Sequence, residues 1–364
     1  VPWRVYLNYG DKRLLAEHYD SAKRWIDYIR ANNPDLIWAK ARGNDYGDWL
    51  NGDTLKLEGF PSKGGEVPKE IFATVCFEAS TRQVSQMAAV LGKKDEAEQY
   101  AALADKIRAE FQKKYIGADG AMPGDTQAGY AFALNHNLAP DSLRDAMVTK
   151  LLAGIDRYGG HFSTGFHSTV PMMDELVRSG HIDTAYRLVT STEFPGWGFM
   201  IQQGATSMWE RWDGYVKGRD ASRGGEFQDP GMNSFNHFAF GGIGEWMFRV
   251  IGGIEMDPET PGWRHVLVRP RMGGGLTWSK ASYKSINGEI AVWWKLEGDR
   301  IQISVTVPPN TWATVDVPTI VAASVTEGGK PVAAAEGVTV GGMVEGSQRL
   351  SVRSGRYEFS GKVR

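Results

Sequence analysis

The stretch GGIEMDPETPGWRHVLVRP, residues 252–270, marks a change in the spacing of the apolar residues. Before it, apolar residues recur every three to four positions, as on one face of an α-helix. After it they alternate with polar residues, which is the repeat of a half-buried β-strand. The alternation is clearest in EIAVWWKL (289–296) and RIQISVTVPPN (300–310), where one face carries Ile290, Val292, Trp294, Leu296, Ile301, Ile303, Val305 and Val307. The sequence therefore predicts a mainly helical region followed by an antiparallel β-sandwich.

Upstream of this change, the helical period predicts about nine helices joined by loops that contain Gly and Pro. We expect them at residues 12–31, 69–91, 97–111, 125–135, 141–156, 169–179, 183–191, 204–209 and 232–251. Long polar loops are expected at 34–66, 157–168, 192–203 and 211–231, and such loops on a rigid scaffold usually carry function. The predicted domains are residues 1–256 and 257–364.

Composition excludes several classes of protein. The formal net charge of the 364 residues is -2, from 41 Lys+Arg and 43 Asp+Glu, so there is no electrostatic case for nucleic acid. No apolar run approaches the roughly 20 residues of a membrane span, and the opening VPWRVYLNYG lacks the pattern of a signal peptide. The single cysteine, Cys76, falls on a helical apolar stripe and is expected to be a packed thiol.

The segment GATSMWERWDGYVKG, residues 204–218, carries the first candidate for chemistry. Glu210 stands between Trp209 and Trp212, and aromatic neighbours can both desolvate a carboxylate and stack against a sugar. Such a carboxylate is suited to deprotonating a water molecule. The alternative is structural: Glu210 pairs with Arg211 or Arg219 and ends a helix.

The second candidate is the loop GNDYGDWLNGD, residues 43–53. Asp45, Asp48 and Asp53 surround Trp49, and ionised carboxylates accept strong hydrogen bonds from sugar hydroxyls. The alternative is a loop in which Asp and Asn cap their own turns. The spacing does not fit the calcium loop of an EF-hand.

Two histidines lie in segments that could reach the same site. His237, in NSFNHFAFGGIGEW, is predicted to lie near the start of the last long helix, and His167 lies in STGFHSTVP. Either could be a structural residue instead, and Glu245 is expected to serve helix packing. The motifs of zinc proteases, triad hydrolases, nucleotide-binding loops and zinc ribbons are absent from the sequence.

Several strings taken together resemble the bacterial α-L-rhamnosidases of glycoside hydrolase family 78. They are YGDW from residue 46, TGFHSTVPMMDELVRSGH from 164, PGWGFMIQQGATSMWERWDG from 195 and NSFNHFAFGGIGEWMFRVIGGI from 233. The resemblance extends over nearly the whole chain. It implies an (α/α)6 barrel followed by a C-terminal β-sandwich, and cleavage of terminal L-rhamnose with inversion of the anomeric centre.

The resemblance also implies roles for individual residues. It makes Glu210 the general base, places Trp49, Trp197 and His237 in the wall of the rhamnose pocket, and gives Asp48 and either Trp209 or Trp212 supporting positions. The expected ligand is a rhamnose-containing glycoside or oligosaccharide. Two carboxyl groups and water suffice for the chemistry, so no metal or cofactor is expected.

The sequence departs from the family pattern in one respect. The family's general acid lies in an acidic, Arg-containing motif that residues 1–364 do not contain, and only about nine of twelve barrel helices can be drawn. We therefore expect the barrel to be incomplete at its N-terminus, with the acid on a preceding part of the same polypeptide. Two alternatives remain: another (α/α)6 exo-glycosidase, and a carbohydrate-binding fragment without catalysis.

Overall fold

The computed structural model of the chain describes residues 1–55, 64–217, 225–227 and 233–363. These residues form two compact units, Val1–His18 with Gly244–Arg364, and Tyr19–Ile243. The helices are α1 Pro2–Tyr9, α2 Arg13–Asn32, α3 Lys69–Val90, α4 Lys94–Tyr115, α5 Gln127–Asn135, α6 Arg144–Arg157, α7 Phe166–Arg178, α8 Ile182–Thr190, α9 Trp197–Gln202 and α10 Ile243–Trp246. The strands are β1 Tyr215–Lys217, β2 Gly225–Phe227, β3 Ile254–Met256, β4 His265–Val268, β5 Trp278–Ser285, β6 Gly288–Glu297, β7 Arg300–Pro318, β8 Thr326–Glu327, β9 Lys330–Pro331, β10 Val338–Val344 and β11 Ser347–Lys362.

Local sequence explains where the helices of the unit Tyr19–Ile243 begin and end. Helix α4 carries Asp95 and Glu96 in its first turn and Lys113 and Lys114 in its last, which complements the helix dipole. Helix α5 begins after Thr126, whose hydroxyl accepts a hydrogen bond from the Gly129 N–H at 3.1 Å. Almost every residue of α5 is buried, so this short helix lies in the core of the unit.

Most of the predicted helices are confirmed. The expected segments 12–31, 69–91, 97–111, 125–135, 141–156, 169–179 and 183–191 correspond to α2 through α8, the fifth of them opening with a short 3₁₀ turn at Asp141–Leu143. The predicted core thiol is only partly confirmed, because Cys76 is half-buried on α3. Burial nevertheless raises the pKa of its thiol to about 11.

Two of the predicted helices are wrong. Residues 204–209 are not helical; α9 instead lies earlier, in a segment predicted as loop, and Gly204 follows it with a φ of 100°. Residue 232 of the predicted helix 232–251 lies outside the described residues, and 233–251 is not one long helix, since helical structure begins as a 3₁₀ turn at Ala239–Gly242 and ends as a π turn at Met247–Ile251. The two segments meet in the fold, where the His237 N–H donates to the Met208 carbonyl and the Glu210 N–H, just after the first segment, donates to the Ser234 carbonyl.

The unit that contains Gly244–Arg364 is built on one sheet in the order β3-β4-β7-β11-β8-β9, with β6 also pairing with β7, β5 with β6 and β10 with β11. Strand β7 pairs along its length with β11, while its other edge pairs first with β6 and then with β4. The β4–β7 pair is parallel, and the other described pairs are antiparallel. The predicted C-terminal β-sheet domain is thus confirmed.

The alternation predicted from the sequence is present in the core of this unit. The inward side chains of β6 and of both parts of β7 belong to a single apolar cluster that includes Ile290, Val292, Trp294, Ile301, Ile303, Val305, Val307, Ala313, Val315 and Val317. Strand β3 joins the sheet through β4, just before the predicted domain boundary at residue 256, which stays a prediction. No helix in the described part of the chain is both long enough and apolar enough to cross a membrane.

Candidate active site

The unit Tyr19–Ile243 contains a cavity of about 550 Å³ that is walled mainly by aromatic side chains. Its walls come from three places that are distant in sequence: the loop before the Gly52–Thr54 turn, the N-terminus of α7, and the two paired segments around residues 210 and 237. The lining residues are Tyr46, Trp49, Phe166, His167, Glu210, His237, Phe238 and Ala239. Glu210 is the only carboxylate among these described residues.

The backbone around Glu210 is fixed by pairing with the segment before the Ala239–Gly242 turn. The Glu210 N–H donates to the Ser234 carbonyl at 2.8 Å, and the His237 N–H donates to the Met208 carbonyl at 2.8 Å. The Ser234 N–H in turn donates to Oε2 of Glu210 at 2.9 Å. Within the described chain, Oε1 of Glu210 accepts no hydrogen bond. One oxygen is therefore anchored while the other is left for a ligand or a water molecule.

Two parts of the structural alternative for Glu210, a pair with Arg211 and a helix end, find no support among the described residues. Arg211 pairs with Asp213 at 3.1 Å and donates to the Thr54 carbonyl at 2.6 Å, so its guanidinium is engaged away from Glu210. Glu210 does not end a helix, since residues 205–214 are irregular. Arg219, the other partner considered, lies outside the described residues.

Asp48 is buried and connects the loop that carries Trp49 to the start of α7. Its carboxylate accepts backbone N–H bonds from Gly165 at 2.7 Å, His167 at 3.0 Å and Ser168 at 3.1 Å, and a further bond from the Ser168 hydroxyl. A carboxylate at a helix N-terminus satisfies N–H groups that have no partner within the helix. Asp48 therefore positions its neighbours and does not line the cavity.

Burial disfavours the ionised form of the Asp48 carboxylate. Desolvation raises the pKa of Asp48 above its ordinary value, against the hydrogen bonds from Ser168 and Gly165, which favour the ionised form. The same connection requires a glycine at position 165, because a Cβ there would lie 2.3 Å from the Trp49 carbonyl oxygen and 2.5 Å from that of Asp48. The Phe166 N–H also donates to the Trp49 carbonyl at 2.9 Å. The position of Trp49 is thus set by α7.

The ring of His237 is oriented by its own backbone and by Phe166. Nδ1 of His237 accepts a hydrogen bond from the Ala239 N–H at 3.3 Å, so in the neutral ring the proton is on Nε2. The ring centroid lies 5.0 Å from that of Phe166. His167 also lines the cavity and contacts Phe72, with centroids 5.4 Å apart. Both histidines considered from the sequence are therefore at the cavity.

The three tryptophans nearest to Glu210 in sequence are not in the cavity wall. Trp197 was expected to line the pocket, but it is buried and donates from Nε1 to the Phe240 carbonyl at 3.2 Å. Trp212 packs against Phe240 with centroids 3.9 Å apart, and Trp209 packs edge-on against Phe235. Phe240 contacts Phe166 of the wall, so Trp197 and Trp212 lie one layer behind it. Trp197 and Trp212 therefore support the wall from behind, because Phe166 and the other lining residues already occupy the layer that contacts the cavity.

Other lining residues were not singled out from the sequence. Tyr46, Phe166 and Phe238 face the cavity, and Tyr46 packs edge-on against Trp49 with centroids 5.2 Å apart. Tyr46 and Phe166 do lie inside the strings YGDW and TGFHSTVP, where an aromatic residue next to a candidate was the available signal. Phe238 adjoins His237 and is 87% exposed.

The remaining acidic candidates are engaged elsewhere. Asp45 pairs with Arg42 at 3.0 Å, and Asp53 accepts the N–H groups of Gly65 and Glu66 at 2.7 and 3.1 Å. Glu245 lies on α10, where its exposed side chain pairs with Arg249 at 2.9 Å, so its expected packing role stays a prediction. Hence none of the three acidic residues of the 43–53 loop contributes a carboxylate to the cavity wall.

Comparison with known proteins identifies the family of both parts of the chain. Residues 1–251 match the family model of the bacterial α-L-rhamnosidase six-hairpin glycosidase domain. Residues 253–331 match that of the bacterial α-L-rhamnosidase C-terminal domain. The predicted helical glycosidase domain with a C-terminal β-sheet domain is thereby confirmed as the fold class.

Individual relatives agree with the family models. An α-L-rhamnosidase of Streptomyces avermitilis is 39% identical over 318 residues, which is 87% of this chain and 28% of the relative. One from Formosa agariphila is 32% identical over 88% of this chain and 33% of its own length. The chain thus spans about a third of the length of these relatives.

Solved structures give the same result. The crystal structure of the S. avermitilis α-L-rhamnosidase complexed with L-rhamnose matches with a TM-score of 0.86 and 36% identity, over 99% of this chain and 32% of that one. The α-L-rhamnosidase from Dictyoglomus thermophilum matches with a TM-score of 0.85 and 30% identity, over 99% of this chain and 38% of that one. With a family model covering most of its length, the chain belongs to the bacterial α-L-rhamnosidase family.

Proposed function

We propose that this chain carries the water-activating part of a glycoside hydrolase that releases terminal α-L-rhamnose with inversion, with Glu210 as the general base. The observation that supports this most directly is the setting of the Glu210 carboxylate. One of its oxygens is held by the Ser234 N–H, and the residue lies in the wall of an aromatic cavity with Trp49 and His237. A relative bound to L-rhamnose adds support for the sugar.

The cavity offers what the proposed substrate needs. A sugar ring presents C–H groups that stack on an aromatic face, and Trp49 and Tyr46 provide such faces. In the neutral tautomer Nε2 of His237 is a hydrogen-bond donor for a sugar hydroxyl. Rhamnose carries a methyl group where other hexoses carry a hydroxymethyl group, and the apolar side chains of Phe166 and Phe238 suit a methyl group.

Inversion requires a second carboxyl group. The acid that protonates the leaving oxygen lies about 6.5–9.5 Å from the base, which leaves room for the attacking water. Glu210 is the only carboxylate among the described residues of the cavity wall, so the proposal assigns the acid to a part of the protein outside this wall. A leaving group that departs without protonation should then be cleaved even when the acid is absent.

The test compares two substrates that differ only in the leaving group. The chain and its Glu210→Gln variant are each given two substrates. The leaving group of 2,4-dinitrophenyl α-L-rhamnoside is a phenolate that departs without a proton, whereas the methoxide of methyl α-L-rhamnoside needs to be protonated by an acid. We expect turnover of the first substrate to exceed that of the second. Glu210→Gln should lower kcat on the first by about 10²–10⁴-fold, the usual contribution of a general base. NMR of the first-formed sugar should show β-L-rhamnose.

Glu98→Gln is the matched control, since Glu98 is an exposed glutamate on α4. It should leave kcat unchanged. Equal turnover by wild type and Glu210→Gln would overturn the assignment of the base, and α-L-rhamnose as first product would overturn inversion.

The second candidate function is a rhamnose-binding protein without catalysis. It is favoured by one observation, the lack of a second carboxylate among the described residues of the cavity wall. If this candidate holds, wild type and Glu210→Gln bind L-rhamnose equally well in calorimetry and neither turns over the activated substrate.

A further inference from the structure

A groove of about 920 Å³ lies on the face of the sheet formed by β7, β11 and β10. This volume is within the range of about 300–1,000 Å³ typical of small-molecule sites. All residues that line the groove belong to the unit Val1–His18 with Gly244–Arg364. They are Asn310, Thr311, Trp312, Glu336, Gly337, Val338, Thr339, Ser351, Val352, Arg353 and Ser354.

Strand register explains how this face is assembled. Trp312 of β7 is opposite Arg353 of β11, and Ser351 of β11 is opposite Thr339 of β10. Alternate residues of a strand share a face, so Ser351 and Arg353 point the same way. The intervening Val352 is buried in the core. The face therefore places one aromatic side chain next to a row of hydrogen-bonding side chains.

An irregularity in the strand pairing lies at the groove. The β7–β11 register shifts between Arg353 and Gly355, where four residues of β7, from Pro308 to Thr311, stand opposite Ser354 alone. Asn310 within this bulge has a φ of 60°, a conformation that Asn tolerates better than most residues. The bulge takes the β7 backbone out of the regular sheet beside Trp312. It thereby forms one end of the groove.

Trp312 is both exposed and held in place. It is 40% exposed, so part of its ring is accessible to a ligand. One side of its ring stacks on His265, with centroids 5.2 Å apart and planes 17° apart. His265 is fixed at both ring nitrogens, by Asp257 at 2.8 Å and by Thr314 at 2.8 Å. Because β4 and β11 flank β7 on opposite sides, the other side of the ring is directed toward the groove.

We propose that this groove is a saccharide-binding site, with Trp312 as its stacking platform and Glu336, Arg353, Thr339 and Ser351 as partners for sugar hydroxyls. A rigid aromatic face beside exposed donors and acceptors matches a ligand with apolar C–H faces and a rim of hydroxyl groups. The groove carries one acidic and one basic side chain, so its charges balance and a neutral oligosaccharide fits best. The proposal does not depend on catalysis at Glu210.

The proposal is tested by affinity electrophoresis, which measures how far a polysaccharide in the gel slows migration of the chain. Separate gels are cast with rhamnan, galactan or a β-glucan, each of them neutral. The chain is run in a Trp49→Ala background, which weakens binding at the first cavity. We expect at least one polysaccharide to retard it. Trp312→Ala should lower the affinity calculated from that retardation about ten-fold, which is the upper end of what one aromatic contact contributes. Trp312→Phe, which keeps a flat ring, should recover part of the binding.

Trp278→Ala is the matched control, because Trp278 is 61% exposed on β5 of the same unit and outside the groove. It should leave the retardation unchanged. Thermal unfolding of each variant shows that it is folded. Retardation of folded Trp312→Ala that equals that of the parent chain overturns the proposal, as does the lack of retardation of the parent chain by all three polysaccharides. Turnover of a small aryl rhamnoside reports separately on Glu210.

Discussion

The cavity wall and the aromatic layer behind it contain the same kinds of residue in opposite environments. Trp49 and His237 face the cavity, whereas Trp197 and Trp212 are buried against Phe240. Trp212 is two positions from Glu210 in sequence, and Trp49 is more than a hundred and fifty away. Proximity in sequence therefore did not decide which tryptophan shares the cavity with the carboxylate.

The reason lies in the backbone that carries Glu210. Residues 208–210 are irregular, and two backbone hydrogen bonds to residues 234–237 hold them in place. Glu210 faces the cavity while Trp209 and Arg211 are buried. The buried Arg211 then needs a partner, which Asp213 provides at 3.1 Å. In this short segment Glu210 reaches the cavity, while Trp209, Arg211, Trp212 and Asp213 belong to the buried interior.

The largest expected effect tests whether Trp212 belongs to the core. Trp212→Ala should lower the free energy of unfolding by about 3–5 kcal/mol, because it leaves a large cavity between Phe162, Trp197 and Phe240. Urea denaturation followed by circular dichroism measures the change. Trp212→Phe should cost much less, since Nε1 of Trp212 has no hydrogen-bond partner within the described chain. A Trp212→Ala loss below about 1 kcal/mol would contradict the assignment to the core.

The next effect tests the connection between the Trp49 loop and α7. Gly165→Ala should destabilise the chain by about 1–3 kcal/mol and displace Trp49, because the added Cβ meets two backbone carbonyls that have little room to move. Urea denaturation and binding of L-rhamnose by calorimetry measure the two consequences. Gly244→Ala is the control, since a Cβ there meets nothing within 4 Å. If Gly165→Ala binds and unfolds as wild type does, the loop is not held by this contact.

Replacement of Trp49 itself should have a smaller effect, which we expect in the affinity for rhamnose and not in stability. Trp49→Ala should weaken rhamnose binding about ten-fold through the loss of one stacking face. It should change the free energy of unfolding by less than about 1 kcal/mol, because the side chain is only half-buried. Calorimetry and urea denaturation separate the two quantities. A variant that lost stability but kept affinity would show that Trp49 belongs to the core, as Trp212 does, and not to the binding surface.

The smallest expected effect is on the pH dependence of stability, and it comes from His136, which does not line the cavity. Burial lowers the pKa of His136, and the charge of Arg178 adds to this. As the pH falls through 6.5, the ordinary value, the unfolded chain takes up a proton that the folded chain resists, so the folded state loses stability. Urea midpoints between about pH 7 and about pH 5 should fall less in His136→Gln than in wild type. Equal slopes would show that other groups control this range.

Much of the fold could be predicted from the spacing of apolar residues in the sequence. The helical period located α2 through α8, and the alternation in 289–310 identified the inward faces of β6 and β7, because burial of one face imposes that pattern on the sequence. The helical period failed at residues 204–209 and 233–238, two irregular segments with a helix-compatible apolar pattern whose backbones are joined by a hydrogen bond from His237 to Met208. Pairing between distant segments leaves no local signal.

The sequence by itself supplied the carboxylate at position 210 and the family strings around it, and it showed where helices give way to strands. The tertiary structure alone decided which aromatic residues surround that carboxylate. It placed Tyr46 and Phe166 in the cavity wall beside Trp49, which the family resemblance had put there, and it placed Trp197 behind the wall. The physical reason is that burial depends on what packs against each face of a segment. That packing partner lies elsewhere in the chain, so the local sequence cannot specify it.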